Sequence, residues 1–126
     1  IGSPAMNFIR GAINERYFVT ETLRLEIPED MLSVLNAQGY QRKAVVFGIR
    51  PEDIFTSQAS GEAIAAKISV AELTGAEFML YATVGGHELV VRAGAATDYA
   101  AGDNIDIQFD MNKCHFFDVV TEAAIR

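Results

Sequence analysis

The chain alternates between apolar and polar residues over much of its length. Between Asn104 and Asp110, Ile105, Ile107 and Phe109 fall on one side and Asp106, Gln108 and Asp110 on the other. That period of two marks a strand with one buried face. Glu77 to Val84 repeats it, with Phe78, Leu80, Ala82 and Val84 inward, and Lys67 to Glu72 sets Ile68 and Val70 against Lys67 and Ser69. Ala44-Val45-Val46-Phe47-Gly48-Ile49 is a more continuous apolar strand. From Tyr17 to Ile27 the odd positions Tyr17, Val19, Leu23, Leu25 and Ile27 are apolar, with one exception at Glu21, which predicts a single half-buried strand.

Turn residues separate these segments. Gly85-Gly86 lies between Val84 and the run His87-Glu88-Leu89-Val90-Val91, a two-residue loop whose positive φ angles suit a hairpin. Thr74-Gly75-Ala76 predicts a bend or bulge between two long strands, and Ala101-Gly102-Asp103-Asn104 a further turn. One helix is predicted near 28–38. Pro28 suits its first turn, Glu29 and Asp30 its positive end, and Gly39 its stop. Met31, Leu32, Val34 and Leu35 give it one apolar stripe. So short a helix must dock on a sheet to persist. Many short antiparallel strands with one helix predict an all-β fold, a small barrel or sandwich.

Composition narrows the function. The 126 residues suit one domain, 1–126, and half of them are apolar, which excludes disorder. No apolar run reaches the ~20 residues of a membrane helix, and nothing resembles a signal peptide. Seventeen acidic and ten basic side chains leave a net charge of −7, with lysine only at Lys43, Lys67 and Lys113. That balance argues against nucleic acid as a main partner, since phosphates need clustered cations. A single cysteine, Cys114, excludes an internal disulfide and a cysteine-cluster zinc site. The chain opens at Ile1 and runs into the linker-like Gly2-Ser3-Pro4, either a processed start or the edge of a domain within a longer protein.

No catalytic constellation survives inspection. None of the ten glycines precedes a lysine, so the phosphate-cradling loop is missing. Cys114 and His115 are adjacent, but neighbours on a strand face opposite ways, which makes Cys114 a packing residue rather than a nucleophile. His87 reads as a surface residue beside its turn, and two distant histidines make no metal site. Glu52 and Asp53 follow Arg50-Pro51, where no nucleophile is near. They read as a short helical turn after a strand that Pro51 ends, with Arg50 reaching back to a carboxylate.

Gly48-Ile49-Arg50-Pro51-Glu52-Asp53-Ile54 also resembles a signature of the C-terminal domain in ATP-binding subunits of carbohydrate ABC importers, the maltose and multiple-sugar type. Three segments agree in order. Gly2-Ser3-Pro4-Ala5-Met6-Asn7-Phe8-Ile9 resembles the junction after the ATP-hydrolysing cassette. Ala71-Glu72-Leu73-Thr74-Gly75-Ala76-Glu77 resembles an acidic-leucine-glycine-acidic bend. Phe109 to Asp118, through Lys113-Cys114-His115-Phe116-Phe117, resembles the closing histidine-aromatic strand. The residues that carry the family motifs, in structural roles, are Gly48, Arg50, Pro51, Glu52, Gly75, His115, Phe117 and Asp118.

The resemblance implies an oligonucleotide-binding-type barrel, the transport-associated module, excised from a longer ATPase subunit on the cytoplasmic face of an importer. It implies a homodimer through this domain, contact with the cassette and the membrane subunits, and in some members a regulatory protein. No cofactor is expected in this chain, and Mg-ATP belongs to the cassette upstream. Nucleic acid is excluded as before, because the aromatics Phe47, Phe78 and Phe109 read as core. One of the adjacent Phe116 and Phe117 must face outward, as a subunit contact or as covered edge packing. Three functions follow: a non-catalytic regulatory and dimerisation domain, a small-ligand module for an oxyanion or sugar-related compound using the polar loop Ser57, Ser60 and Gly61, and a small enzyme. The net charge disfavours anion capture, and the missing constellation disfavours the enzyme.

Overall fold

A computed structural model of the chain describes residues 6–56 and 62–126. Its elements, in chain order, are β1 (Asn7–Asn14), β2 (Tyr17–Val19), β3 (Arg24–Glu26), α1 (Glu29–Ala37), β4 (Ala44–Ile49), a 3-10 turn (Pro51–Asp53), β5 (Ile54–Phe55), β6 (Ile64–Thr74), β7 (Glu77–Val84), β8 (His87–Gly94), β9 (Asn104–Phe109), a second 3-10 turn (Met111–Lys113) and β10 (His115–Asp118). They form two units. The helix unit comprises Phe8–Ile49 with Met111–Arg126, and the hairpin unit comprises, among the described residues, those up to Asn7 together with Arg50–Asp110. The all-β reading with one short helix holds.

The helix unit is built on a sheet ordered β10-β4-β1-β2-β3. Three aromatic rings fill its interior. Phe18 stacks on Phe47 with centroids 5.2 Å apart, and Phe116 tilts against both at 6.0 and 5.8 Å. Gly11 makes room for them: a Cβ there would stand 2.5 Å from the Phe18 ring and 2.6 Å from the Val19 carbonyl oxygen. α1 buries Leu32 and Leu35. It ends where expected, with Gly39 at φ +81. The Gly39 N–H donates to the Asn36 carbonyl and the Tyr40 N–H to the Leu35 carbonyl, which satisfies two of the helix's last free acceptors.

The hairpin unit has the sheet order β5-β9-β6-β7-β8. β7 and β8 pair without interruption from Glu77↔Gly94 to Val84↔His87, around Gly85 and Gly86 at φ 54 and 82. Ile68, Leu80, Ala82, Val84, Val91 and Ile107 are buried. Charge separates with the units. Arg50–Asp110 carries three basic and ten acidic side chains, the whole of the net −7, whereas the helix unit carries seven of each.

Four local expectations change. The segment Tyr17–Ile27 is a hairpin, not one strand: Tyr17 pairs with Glu26 and Val19 with Arg24. Thr20 makes the turn, its Oγ1 accepting from the N–H groups of Thr22 and Leu23. Phe18 therefore points inward before the turn, and Leu23, Leu25 and Ile27 after it. In β6 the register shifts between Ile68 and Val70, so Ile68 is buried but Val70 is 47% exposed. Ser69 is the extra residue, and its hydroxyl donates to the Tyr81 carbonyl. Thr74-Gly75-Ala76 is a tight hairpin turn, Thr74 pairing with Glu77 and Gly75 at φ +65. Arg50 is exposed and makes no ion pair among the described residues, so the predicted bridge to a carboxylate is absent. Its extended backbone, φ −79 and ψ 151, nevertheless leads into the turn headed by the buried Pro51, as the proline requires.

Candidate functional site

Two motif segments far apart in sequence, those around Gly48 and His115, are neighbours in the sheet. β10 pairs antiparallel with β4, His115 opposite Gly48, Phe116 opposite Phe47, Phe117 opposite Val46 and Asp118 opposite Val45. Phe116 and Phe47 point inward, so Phe117 and Val46 share the outer face. On β1, Phe8 lies between the buried Asn7 and Ile9 and is 58% exposed. Its ring meets Phe117 edge-on at 5.6 Å, and His115 lies 6.3 Å beyond. Phe8, Val46 and Phe117 thus form an outward apolar strip on a sheet whose unit carries balanced charge. Val120, just past β10, is 85% exposed.

Asp118 fixes the end of that strip. Its carboxylate accepts from the backbone N–H of Thr121 at 2.8 Å, from the Tyr40 hydroxyl at 2.7 Å and from the Val120 N–H at 2.8 Å. These donors hold its pKa down to about 2, and the same bond raises that of Tyr40. The chain then folds back: Phe117 bridges to Ala124, the Ile125 N–H donates to the Phe116 carbonyl, and the Gln38 amide donates to the Arg126 carbonyl. The exposed side of β10 is thereby partly covered.

The remaining motif residues lie in the other unit. Arg50 and Glu52 are exposed, Pro51 is buried, and Gly75 occupies the β6–β7 turn. Cys114 is buried, its Sγ 3.6 Å from the Met31 sulfur, while His115 is exposed, and His87 flanks its turn half-exposed. Among the described residues no group of three His, Cys, Asp or Glu side chains could hold a metal ion. The polar loop Ser57, Ser60 and Gly61, and Gly2 to Ala5, lie outside the described residues. An open depression of about 330 Å³ lies at the start of α1, lined by Arg16, Glu26, Ile27, Pro28, Glu29 and Asn112. Arg16 there is engaged with the Tyr17 hydroxyl at 3.1 Å and sits 3.9 Å from Glu26, so two carboxylates outweigh its charge. That composition suits an oxyanion poorly.

Residues 2–54 match the MalK OB fold domain, and residues 47–117 match the TOBE domain, more than half of the chain. The chain belongs to the TOBE domain family. The first match takes in Arg10–Gln41, where none of the motifs that carry the resemblance lies. The ABC transporter ATP-binding protein YcjV of Escherichia coli K12 is 68% identical over 126 residues, all of this TOBE chain and 35% of that protein. The oligosaccharides import ATP-binding protein MsmX of Bacillus subtilis is 43% identical over 131 residues, covering all of this chain and 36% of the relative. The multiple sugar-binding transport ATP-binding protein MsmK of Streptococcus mutans is 39% identical over 132 residues, again all of this chain and 35% of the relative. The TOBE chain therefore spans about a third of the length of the curated relatives it matches.

Proposed function

We propose that this chain is a single non-catalytic module, residues 1–126, that regulates and dimerises the ATP-binding subunit of a sugar importer. Its kinship with MsmX and MsmK supports the sugar class. The observation that carries the dimerisation role is the outward strip Phe8, Val46 and Phe117 on the charge-balanced unit. Two copies of a neutral sheet can approach without net repulsion, and identical apolar patches meet about a two-fold axis. In this reading an upstream cassette binds Mg-ATP, the membrane subunits of the importer contact the whole subunit on its cytoplasmic side, and this chain itself binds no cofactor. A regulatory protein is a further partner of the full subunit.

The interface available is modest, about 800 Å² per partner, so the isolated chain should show a concentration-dependent monomer–dimer equilibrium. Tethered cassettes would strengthen it through effective concentration. Sedimentation equilibrium from micromolar to millimolar chain measures this. Phe117→Ser should shift the equilibrium at least tenfold toward monomer while leaving the Phe18–Phe47–Phe116 cluster in place. A strict monomer throughout, or dimers indifferent to both Phe8→Ser and Phe117→Ser, would refute the assignment of this face.

A further inference from the structure

In the hairpin unit, β6 outruns the strand that pairs with it on one side. β9 covers it from Ile64 to Lys67, and at the next residue the Ile68 N–H donates to the Asp103 carbonyl while the Ile68 carbonyl accepts from the Gly102 N–H. Beyond that point β6 runs on to Thr74 with β7 as its partner. The alternation of ladder bonds fixes which groups are used. Gly75-Ala76 is a two-residue loop, so Thr74 and Glu77 exchange hydrogen bonds, and Glu72 and Met79 do so one repeat further on. The N–H and C=O of Ala71 and of Leu73 therefore point away from β7, to the side that β9 has left. Among the described residues these groups have no hydrogen-bond partner.

No residue on this stretch blocks pairing. From Val70 to Thr74 there is neither lysine nor proline, and Glu72 carries its single charge. The β8 edge of the same sheet is treated differently. There the Asn7 side-chain amide donates to the Val90 carbonyl and accepts from the Val90 N–H, both at 2.8 Å, in the place a further strand would take. Leu73 shares a rung with the buried Phe78 and Ala93, yet it is 62% exposed, because no strand flanks it on the open side. Glu72 points to the opposite face, exposed and without an ion pair among the described residues. The cation on its own rung, Arg92, stands two strands away, about 10 Å, and lies 3.9 Å from Glu77. Lys67, the one cation on β6, lies beyond the bulge at Ser69.

We propose that the β6 edge from Val70 to Thr74 binds an extended segment of another protein by antiparallel strand addition, a segment with one basic residue between two apolar ones. Main-chain bonds to Ala71 and Leu73 hold the segment, and side chains select it. The apolar residues stand opposite Ala71 and Leu73, on the side of Phe78, where they cover Leu73. The basic residue stands opposite Glu72 at cross-strand distance, about 5 Å, far nearer than Arg92. A second copy of this chain fits less well. Two such edges paired about a two-fold axis use all the free groups only with Ala71 opposite Leu73, and that register sets the two Glu72 carboxylates against each other.

The test uses isotope-labelled chain titrated, in low salt, with a short capped peptide that carries lysine between two valines. The amides of Ala71 and Leu73 should exchange freely with solvent in the chain alone, and at least tenfold more slowly with peptide. That of Glu72, bonded to β7, should change little. The same peptide methylated on both valine nitrogens cannot donate to the Ala71 and Leu73 carbonyls and should bind at least tenfold more weakly. Leu73→Pro removes an N–H that β7 does not use and should weaken binding as much. Should that variant lose its fold, Glu72→Lys leaves the backbone unchanged. It should reverse the preference, from the lysine peptide to one with glutamate between the valines. Undiminished binding of the methylated peptide, resonance shifts centred elsewhere, or protection of Ala71 and Leu73 in the peptide-free monomer would each overturn the proposal. So would self-association that Leu73→Pro abolishes, which would assign the edge to a second copy.

Discussion

Gly11 shows how one residue sets the geometry of the helix unit. It lies on β1 opposite the hairpin strand that carries Phe18, and the Phe18 ring fills the space a side chain would need. The Val19 carbonyl, which is backbone and cannot swing aside, closes the site from the other direction. Gly11→Ala should therefore cost about 1–3 kcal/mol, as overpacking of a filled core does, and chemical denaturation reads it. A midpoint unchanged within error would mean that β1 and β2 can part without loss. Asp118 acts at the same scale through charge. Its folded-state pKa, about 2, lies below the ordinary carboxylate value of 3.8, so the charged form is favoured by folding. The stability it contributes is present above pH ~5 and is lost as the pH falls toward 2. Denaturation of wild type and Asp118→Asn should accordingly differ most above pH 5 and converge near pH 2. Tyr40→Phe, which removes one of the three donors, should move the Asp118 titration part of the way back up, observable by carboxyl-carbon resonance. A gap that persists unchanged at pH 2 would assign the effect of Asp118→Asn to packing.

Elements differ in how plainly the sequence announces them. β7, β8 and β9 follow from alternation and a two-glycine loop, because each keeps one parity from end to end, and β4 follows from its continuous apolar run, which ends in three buried residues. β1 was hidden, since two of its inward positions are Asn7 and Gly11, the one spent on the Val90 backbone and the other on clearance for Phe18. β2 misleads for the opposite reason. Tyr17, Phe18 and Val19 are all apolar, so alternation cannot tell which face is buried, and the turn at Thr20 rests on a hydroxyl that looks like any polar residue. β6 changes parity inside one apolar run, and only pairing with β7 shows where. The candidate face was legible in half: adjacency required one of Phe116 and Phe117 to be outward, and the pairing of Phe116 with the buried Phe47 makes it Phe117. Phe8 was not, because its partner comes from the far end of the chain. Arg50 gave the reverse error. A guanidinium beside two carboxylates reads as a bridge, yet the extended backbone before Pro51 carries it to solvent.

At the scale of the molecule, the uneven charge should govern stability. The hairpin unit carries the whole net −7, and its ion pair Arg92–Glu77 is long at 3.9 Å, so little attraction offsets the repulsion. Glu72 illustrates the excess. It is exposed on β6, and its diagonal neighbour on β7 is Glu77, a second carboxylate on the same face. Raising the ionic strength from ~20 mM to ~0.5 M shortens the Debye length from about 20 Å to about 4 Å, which screens repulsion spread over a sheet. The thermal midpoint should therefore rise with added salt. Glu72→Gln should raise the midpoint at low salt and reduce its salt dependence, because it removes part of what salt screens. Glu29→Gln is the counterpart in the charge-balanced unit. There the carboxylate stands in the first turn of α1, where it complements the helix dipole, so its loss should cost about 0.3–1 kcal/mol at low salt. Removing one negative charge should thus act with opposite sign in the two units, although the change in net charge is identical. Equal shifts of the same sign in both variants would mean that total charge alone sets the stability, and that its segregation between the units has no energetic consequence.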